Sequence, residues 1–294
     1  MSIVKSFSVG VGDMMYIRHG SDNFTIIDCD LGEDNADRII AELKAAAKGK
    51  GICRFVNTHP DGDHFGGIER LDDEMPISNF YVVKNLAMKE QDSASFERYC
   101  ALRDDASKAF YLSKGCTRRW MNSGSDERGH SGLHCLWPDL DNEHFKEALQ
   151  AAEGGTDYNN ISTIIRYHAS NGASFLWLGD LETEFMEKIE DSVDLNHTTV
   201  VFAAHHGRDS GKIPNSWLDK LKPKIIVIGE APSRHLNYYS GYKTVTQNLA
   251  EDITMDCTDG RVDFYSSSST YYNKALIKYE GASAFPNYFG SVKI

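Results

Sequence analysis

The stretch NTHPDGDHFGG, from Asn57 to Gly67, constrains this chain more than any other part of its sequence. Four potential metal ligands fall within six residues, and they are His59, Asp61, Asp63 and His64. The glycine pair that follows lets the backbone and a following helix approach closely. Two neighbouring carboxylates repel each other, and a divalent cation turns that repulsion into attraction. The stretch therefore predicts a metal site, with unrelated surface residues as the alternative.

Two other predicted strands also end in polar residues that suit a metal. Asp180 follows the apolar stretch Phe175–Gly179, where a helix N-cap is the alternative role for a lone aspartate. His205 and His206 end the strand in the stretch Val200–Gly207. The C-terminal strand ends of layered α/β proteins lie along one edge, where functional residues gather. We therefore expect these side chains to meet those of the first stretch.

Short strands and helices alternate along most of the chain, which predicts an α/β protein with layered sheets and helices outside them. The predicted strands are Ile3–Val9, Met14–Arg18, Phe24–Asp28, Ile52–Val56, Tyr81–Val83, Leu133–Trp137, Ile161–Tyr167, Ser174–Leu178, Thr198–Ala203, Lys224–Ile228, Arg261–Tyr265 and Tyr272–Lys278. The predicted helices are Asn35–Ala47 and one around Glu184–Ile189. Residues from about 85 to 150 are polar and weakly helical, so we interpret them as an insertion in a single domain spanning residues 1–294.

The composition, with 41% hydrophobic and 25% charged residues, is that of a globular protein. A net charge of -12 argues against a broad phosphate-binding surface but leaves room for a local basic groove. The six cysteines lie far apart, which favours reduced thiols over a disulfide framework. No signal-like N-terminus and no apolar run of ~18 residues is present, so we expect a cytoplasmic protein without membrane insertion. The oligomeric state stays open.

Taken in order, several motifs resemble the metallo-β-lactamase superfamily, and most closely the metallo-hydrolase domain of ComEC-type DNA-uptake proteins. Such domains show a DVGQGD-like opening, an H-x-D-x-D-H motif, an N-x-S strand, a TGD strand end and a PHHGS loop. The counterparts here are Val9–Asp13, His59–His64, Asn160–Ser162, Gly179–Asp180 and His205–Gly207, together with the strand that ends in Asp28. The resemblance implies an αββα sandwich with one or two divalent metal ions at its edge.

The resemblance also implies roles for individual residues. The implied ligands of a first ion are His59, Asp61 and a bridging Asp180. Those of a second ion are Asp63, His64, Asp180 and either His205 or His206. A proton for the leaving group would come from the second histidine of the pair or from His235. The candidate catalytic residues are therefore Asp63, His206 and His235.

Three departures from the family pattern bear on the site. Asp61 stands where the superfamily usually has histidine, and oxygen ligands shift preference from zinc toward manganese or magnesium. We expect zinc or manganese, with magnesium as a third candidate. The histidine that commonly completes the first site has no clear equivalent, and Asn160 is the candidate by position. Arg208 stands where the ComEC branch usually has serine.

The resemblance implies hydrolysis of phosphodiester bonds by a metal-activated water, as in a nuclease or a nucleotide phosphodiesterase. Two basic stretches, Cys116–Met121 and His205–Lys212, are candidates for contacting phosphate and base, with an ordinary protein surface as the alternative. Two other functions stay open. One is hydrolysis of a lactone, thioester or β-lactam, and the other is a metal-binding regulatory module whose incomplete first site has lost turnover.

Overall fold

A computed structural model of the chain describes residues 1–89, 93–124 and 126–294. The strands are β1 Ser2–Ser6, β2 Met15–Arg18, β3 Asn23–Ile27, β4 Cys29–Asp30, β5 Ile52–Val56, β6 Phe80–Val82, β7 Ala109–Tyr111, β8 Leu133–Trp137, β9 Ile164–His168, β10 Ser174–Trp177, β11 Val200–Phe202, β12 Ile225–Ile228, β13 Thr244–Thr246, β14 Ile253–Thr258, β15 Arg261–Ser266 and β16 Tyr288–Lys293. The α-helices are α1 Ala36–Ala47, α2 Gly62–Phe65, α3 Ile68–Glu74, α4 Ala94–Asp104, α5 Glu143–Glu153, α6 Thr183–Lys188, α7 Asn215–Leu221 and α8 Gln247–Ala250.

Two sheets make up the centre of the described structure. The first has nine strands in the order β16-β15-β14-β1-β2-β3-β5-β6-β7, and the second has six in the order β13-β12-β11-β10-β9-β8. Strands β3, β5, β6 and β7 run parallel in the first sheet, as do β10, β11, β12 and β13 in the second. Parallel neighbours bring their C-terminal ends to the same edge of a sheet, which is where ligand-bearing loops gather.

Three apolar cores join four layers, in the order helices, sheet, sheet and helices. One core contains residues of both sheets, such as Val56 of β5, Phe175 of β10 and Phe264 of β15. A second joins the outer face of the six-stranded sheet to helices α5, α6 and α7. A third joins the outer face of the nine-stranded sheet to helices α1, α3 and α4. Because each sheet buries one face on the other and one face on helices, the predicted αββα sandwich is confirmed.

Helix α1 shows how the sequence pattern produces these layers. Its buried residues Ile39, Ile40 and Leu43 recur at helical spacing and all enter the third core. Each such side chain contributes about 1.5–3 kcal/mol by leaving water. None of the helices within the described residues is both long and apolar enough to cross a membrane.

The segment predicted as an insertion supplies parts of both sheets. Strand β7 pairs with β6, and strand β8 pairs with β9, so each sheet takes one edge strand from this segment. Residues 90–92 and 125 of the segment lie outside the described residues. The interpretation of residues 1–294 as one domain stays a prediction.

The C-terminal part of the chain is where the strand predictions are wrong. Tyr272–Lys278 is not a strand, and only Ile277 makes an isolated bridge, to Ser291 of β16. Strands β13, β14 and β16 were not predicted, nor were the short strands β4 and β7 earlier in the chain. Exposure explains the false strand, because Tyr272 is 68% exposed and Leu276 is the one buried residue of the segment.

Candidate metal centre

The candidate ligands follow the C-terminal ends of three strands, β5 of the first sheet and β10 and β11 of the second. His59, Asp63 and His64 follow β5, and α2 begins between them at Gly62. Asp180 lies three residues beyond the end of β10. His205 and His206 follow β11 in a short turn, and both have left-handed backbone, with φ of 50° and 56°. Backbone conformations of this kind in non-glycine residues recur at functional sites.

Asp180 is the centre of the cluster, since four imidazoles turn a ring nitrogen toward it. The Nε2 atoms of His64 and His206 each lie 3.3 Å from a carboxylate oxygen of Asp180. Those of His205 and His59 lie 3.8 and 3.9 Å from its Oδ2. Asp63 flanks the first pair, with its oxygens 3.9 Å from His64 Nε2 and 3.6 Å from His206 Nε2.

The opposite ring nitrogen of each imidazole faces an oxygen of the protein, which forms a hydrogen bond in three of the four rings. Asp28 Oδ2 lies 2.9 Å from His64 Nδ1, and Ser210 Oγ lies 2.9 Å from His205 Nδ1. Thr58 Oγ1 is 3.1 Å from His59 Nδ1. Asp13 Oδ1 faces His206 Nδ1 at 3.4 Å, a long contact for a hydrogen bond. An oxygen at Nδ1 favours the tautomer whose Nε2 lone pair faces the cluster, which is how metal-binding histidines are oriented.

A metal ion fits this donor set. The Nε2 atoms of His59, His64 and His206 and the Oδ1 of Asp180 are buried and lack any hydrogen-bond partner among the described residues. A buried polar atom without a partner costs about 1–3 kcal/mol, so such a group of atoms needs an explanation. Ligands of one ion at about 2.0–2.2 Å lie no more than roughly 4.4 Å apart, and every spacing to Asp180 is shorter.

The imidazoles and carboxylates of the cluster shift one another's pKa values. Burial alone would lower the pKa of His64 and of His206, but nearby carboxylates, Asp180 foremost, raise both pKa values well above the usual range. Burial would raise the pKa of Asp180, and the imidazoles of His64 and His206 hold it well below its usual value instead. Burial, reinforced by the charge of His64, lowers the pKa of His59 to about 3. The carboxylates that stabilise the imidazolium charge of His64 and His206 would equally stabilise a divalent cation, whose binding would release those protons.

Asp61 and Asn160, both predicted for the site, make their hydrogen bonds with residues outside the cluster. Asp61 pairs with Lys89, whose Nζ lies 2.6 Å from its Oδ1. Asn160 uses its whole amide locally, because Nδ2 donates to Asp157 and Glu182 while Oδ1 accepts the Glu182 backbone N–H.

His235 lines a cleft and contacts the hydroxyl of Tyr238 at 2.5 Å. The cleft has a volume of about 770 Å³ and lies next to the cluster along the chain, since its wall includes Glu182 and Arg208. Its charged lining consists of Glu182, Glu184, Asp209, Arg208, Lys212 and His235. The stretch His205–Lys212 thus contributes two histidines of the cluster and two cations of the cleft.

The other basic stretch, Cys116–Met121, is occupied by contacts within the chain. The Arg118 guanidinium stacks over the rings of Phe110 and Tyr81 at 4.9 and 5.1 Å. The Trp120 indole N–H donates to Asp126. These contacts favour the protein-surface alternative for this stretch over a nucleic-acid clamp.

Sequence reasoning gave no role to Asp13, Asp28 or Ser210. Asp13, His64, Asp180 and His206 offer ligand atoms within 4.8 Å of one another, so Asp13 is itself a possible ligand by distance. Its carboxylate faces Nδ1 of His206 rather than Nε2, which favours an orienting role. Both Asp13 and Asp28 belong to motifs of the resemblance, and Asp28 has a left-handed φ of 56°. Asp28 directly follows the buried strand β3, and this position is the sequence signal that could have identified it as a site residue.

The sequence profile of the metallo-beta-lactamase superfamily matches residues 8–210. This range contains every residue of the imidazole and carboxylate cluster described above. The chain belongs to the metallo-beta-lactamase superfamily. Members of this superfamily are in general metal-dependent hydrolases.

Two further comparisons complete the picture. A solved structure of a CmlA beta-hydroxylase mutant is similar to this chain, with 14% sequence identity and a TM-score of 0.47. The similarity covers 86% of this chain and 53% of that one, so this chain spans about half of its length. A likeness this weak says nothing about reaction or substrate. No curated relative matches the chain.

Proposed function

We propose that this protein is a metal-dependent hydrolase of phosphodiester bonds that acts on a small or short substrate. The observation that carries the hydrolase proposal is the convergence of four imidazole Nε2 atoms and the Asp63 carboxylate around Asp180. Divalent ions bound there would supply an activated water near neutral pH and would stabilise the charge that builds on the substrate.

The geometry supports a division of the donors between two ions that share Asp180. The proposed ligands of the second ion are Asp63, His64, His206 and Asp180. The proposed first ion takes His59 and His205 with Asp180, and Asp61 is its fourth candidate ligand. In this assignment His205 supplies the imidazole that has no equivalent elsewhere in the sequence, so both members of the histidine pair bind metal.

The surrounding residues keep these donors in place before any ligand arrives. Asp28 accepts hydrogen bonds from the Thr58 backbone N–H at 2.7 Å and from the Thr58 hydroxyl at 2.6 Å, besides its contact with His64. The Asp180 backbone N–H donates to Ser162 Oγ at 3.0 Å. Rigid donors of this kind lower the reorganisation that metal binding and transition-state stabilisation require.

The cleft supports an anionic substrate. Arg208 and Lys212 line it together with His235, and guanidinium and ammonium groups are the usual partners of phosphate oxygens. Glu182, Glu184 and Asp209 on the same wall, and a net charge of -12, disfavour a long polyanion. His235 is the proposed proton donor to the leaving group, since its Nδ1 contact with Tyr238 leaves Nε2 for the cleft. The resemblance to ComEC-type motifs also supports a phosphodiester substrate.

One assay separates the functions that stay open. The purified protein is loaded separately with Mn²⁺, Zn²⁺ and Mg²⁺ and given bis(p-nitrophenyl) phosphate, a short single-stranded oligonucleotide, and a lactone. We expect phosphodiester turnover that Asp63→Asn reduces at least about a hundredfold, because Asp63 flanks two of the donor imidazoles. The Asp37→Asn variant, changed at an exposed position, should keep full turnover. Turnover of the lactone alone would contradict the phosphodiester proposal.

A metal-binding regulatory module is the second candidate function. The observation that favours it is the ion pair between Asp61 and Lys89, which ties up a candidate ligand of the first ion. In the same assay this candidate predicts tightly bound metal without turnover of any substrate.

A further inference from the structure

Lys89 places a positive charge of the chain itself at the edge of the metal centre. Its Nζ lies 2.6 Å from Asp61 Oδ1, and its side chain is only 20% exposed. The ammonium lies 4.5 Å from the ring centroid of Tyr158 and 5.4 Å from that of Phe65. Aromatic faces attract a cation and restrict where it can go. Lys89 is therefore held at this position by three groups, and not by Asp61 alone.

Asp61 lies two residues after His59 in the same loop and caps helix α2, which carries Asp63 and His64. The backbone N–H of Gly62 also donates to Asp61 Oδ1 at 2.8 Å, which fixes the carboxylate at the start of α2. Asp61 is thus the candidate carboxylate that the loop of His59 would offer to an ion held by His59, His205 and Asp180.

The two halves of the centre consequently differ in charge. Asp63 gives the second-ion half a carboxylate of its own in addition to the shared Asp180. The first-ion half offers two imidazoles and the shared Asp180, while Lys89 is paired with Asp61. A divalent ion binds more tightly where more uncompensated negative charge surrounds it.

We infer that Lys89 acts as a tethered cation that competes with the first metal ion for Asp61, so that the two ions bind with unequal affinity. The second-ion half fills first, and the first-ion half fills only when an ion displaces the ammonium from Asp61. This inference rests on the proposed metal centre, but its test reads metal binding and not turnover.

The test is a calorimetric titration of the metal-free protein with Mn²⁺, with the bound metal counted after dialysis. The wild-type protein should bind one ion tightly and a second at least about tenfold more weakly. Lys89→Met keeps the aliphatic stem against the two rings and removes the charge. It should strengthen the weaker site by about tenfold or more, because a unit charge next to a divalent ion is removed.

Three variants serve as controls. Lys89→Arg keeps the charge and should behave like the wild type. Lys84→Met removes another lysine that lies over an aromatic ring, that of Tyr111, and should change neither site. In an Asp61→Asn background, Lys89→Met should have no further effect, because the two residues act through one ion pair. Melting temperatures of all variants show whether each one is folded.

Two equal sites in the wild type, or an unchanged weaker site in Lys89→Met, would overturn the inference. Absence of any bound metal would overturn the metal centre and the inference together. Unequal sites that respond to Lys89 as expected, in a protein that cleaves no phosphodiester, would refute only the proposed function.

Discussion

Asp28 and His64 lie 36 positions apart in the sequence, and their side chains meet at 2.9 Å between Oδ2 and Nδ1. Both side chains are buried, and the contact aims Nε2 of His64 at Asp180. The carboxylate also fixes Thr58, whose hydroxyl contacts His59. One residue outside the donor set therefore orients two of its imidazoles.

The Asp28→Asn variant tests this orienting role. The amide still fills the site but loses the negative charge that holds His64, so metal affinity should fall by about 10–100-fold. The measurement is competition with a chelating dye, at a temperature where circular dichroism shows the variant folded. Asp37→Asn is the control, because Asp37 is 94% exposed and remote from the contacts of the centre. An affinity equal to that of the wild type would show that Asp28 does not position His64.

The Asp180→Asn variant tests the shared carboxylate. Every candidate imidazole has its Nε2 within 3.9 Å of Asp180, so the substitution should weaken both ions. We expect a loss of affinity of more than about a hundredfold, beyond the range for residues that only orient ligands. Metal analysis after dialysis measures it. If the Asp180→Asn variant retained two ions, Asp180 would not be a ligand that the two ions share.

The Arg208→Met variant tests substrate binding in the cleft. Arg208 lines the cleft and has no role as a ligand, so its loss should raise KM for an anionic phosphodiester by about tenfold or more. The effect should shrink at high salt, where exposed charges are screened. A neutral ester should be unaffected, and Lys188→Met, on the exposed side of α6, should leave both KM values unchanged. Equal effects on charged and neutral substrates would contradict an electrostatic role.

The Gly179→Ala variant tests the backbone that delivers Asp180. Gly179 has φ of +54°, and an added Cβ would lie 2.7 Å from both Cβ and Oγ of Ser162, the acceptor for the Asp180 N–H. The substitution should lower the free energy of unfolding by about 2–4 kcal/mol, from strain and overpacking together. Gly49→Ala is the control for strain alone, since Gly49 has φ of +80° in open space and should lose about 1 kcal/mol. Urea denaturation measures both, and equal losses would exclude the clash.

Local sequence patterns predicted the elements that carry the centre. Strand β5 and the ligand-rich stretch after it were predictable because apolar runs and strand-end polar residues are local signals. Strand β14 was missed, although Asp259 and Gly260 form a turn between it and β15 that is typical of hairpins. Strand β16 pairs with β15 across a long exposed segment, and no local pattern reports such a pairing.

The parts of the centre that were not predicted depend on distant contacts. The pairing of Lys89 with Asp61 joins the polar segment to the ligand loop across 28 positions. The turn that brings both His205 and His206 toward Asp180 depends on two left-handed residues in succession. Sequence spacing carries no information about either contact, so it could not show that both histidines face Asp180.

Anomalous diffraction from crystals loaded with zinc or manganese tests the central claim most directly. The account predicts the strongest peak within about 2.3 Å of Nε2 of His64 and His206 and of a carboxylate oxygen of Asp180. Strong peaks elsewhere, with these three side chains bonded only to water or to one another, would contradict it.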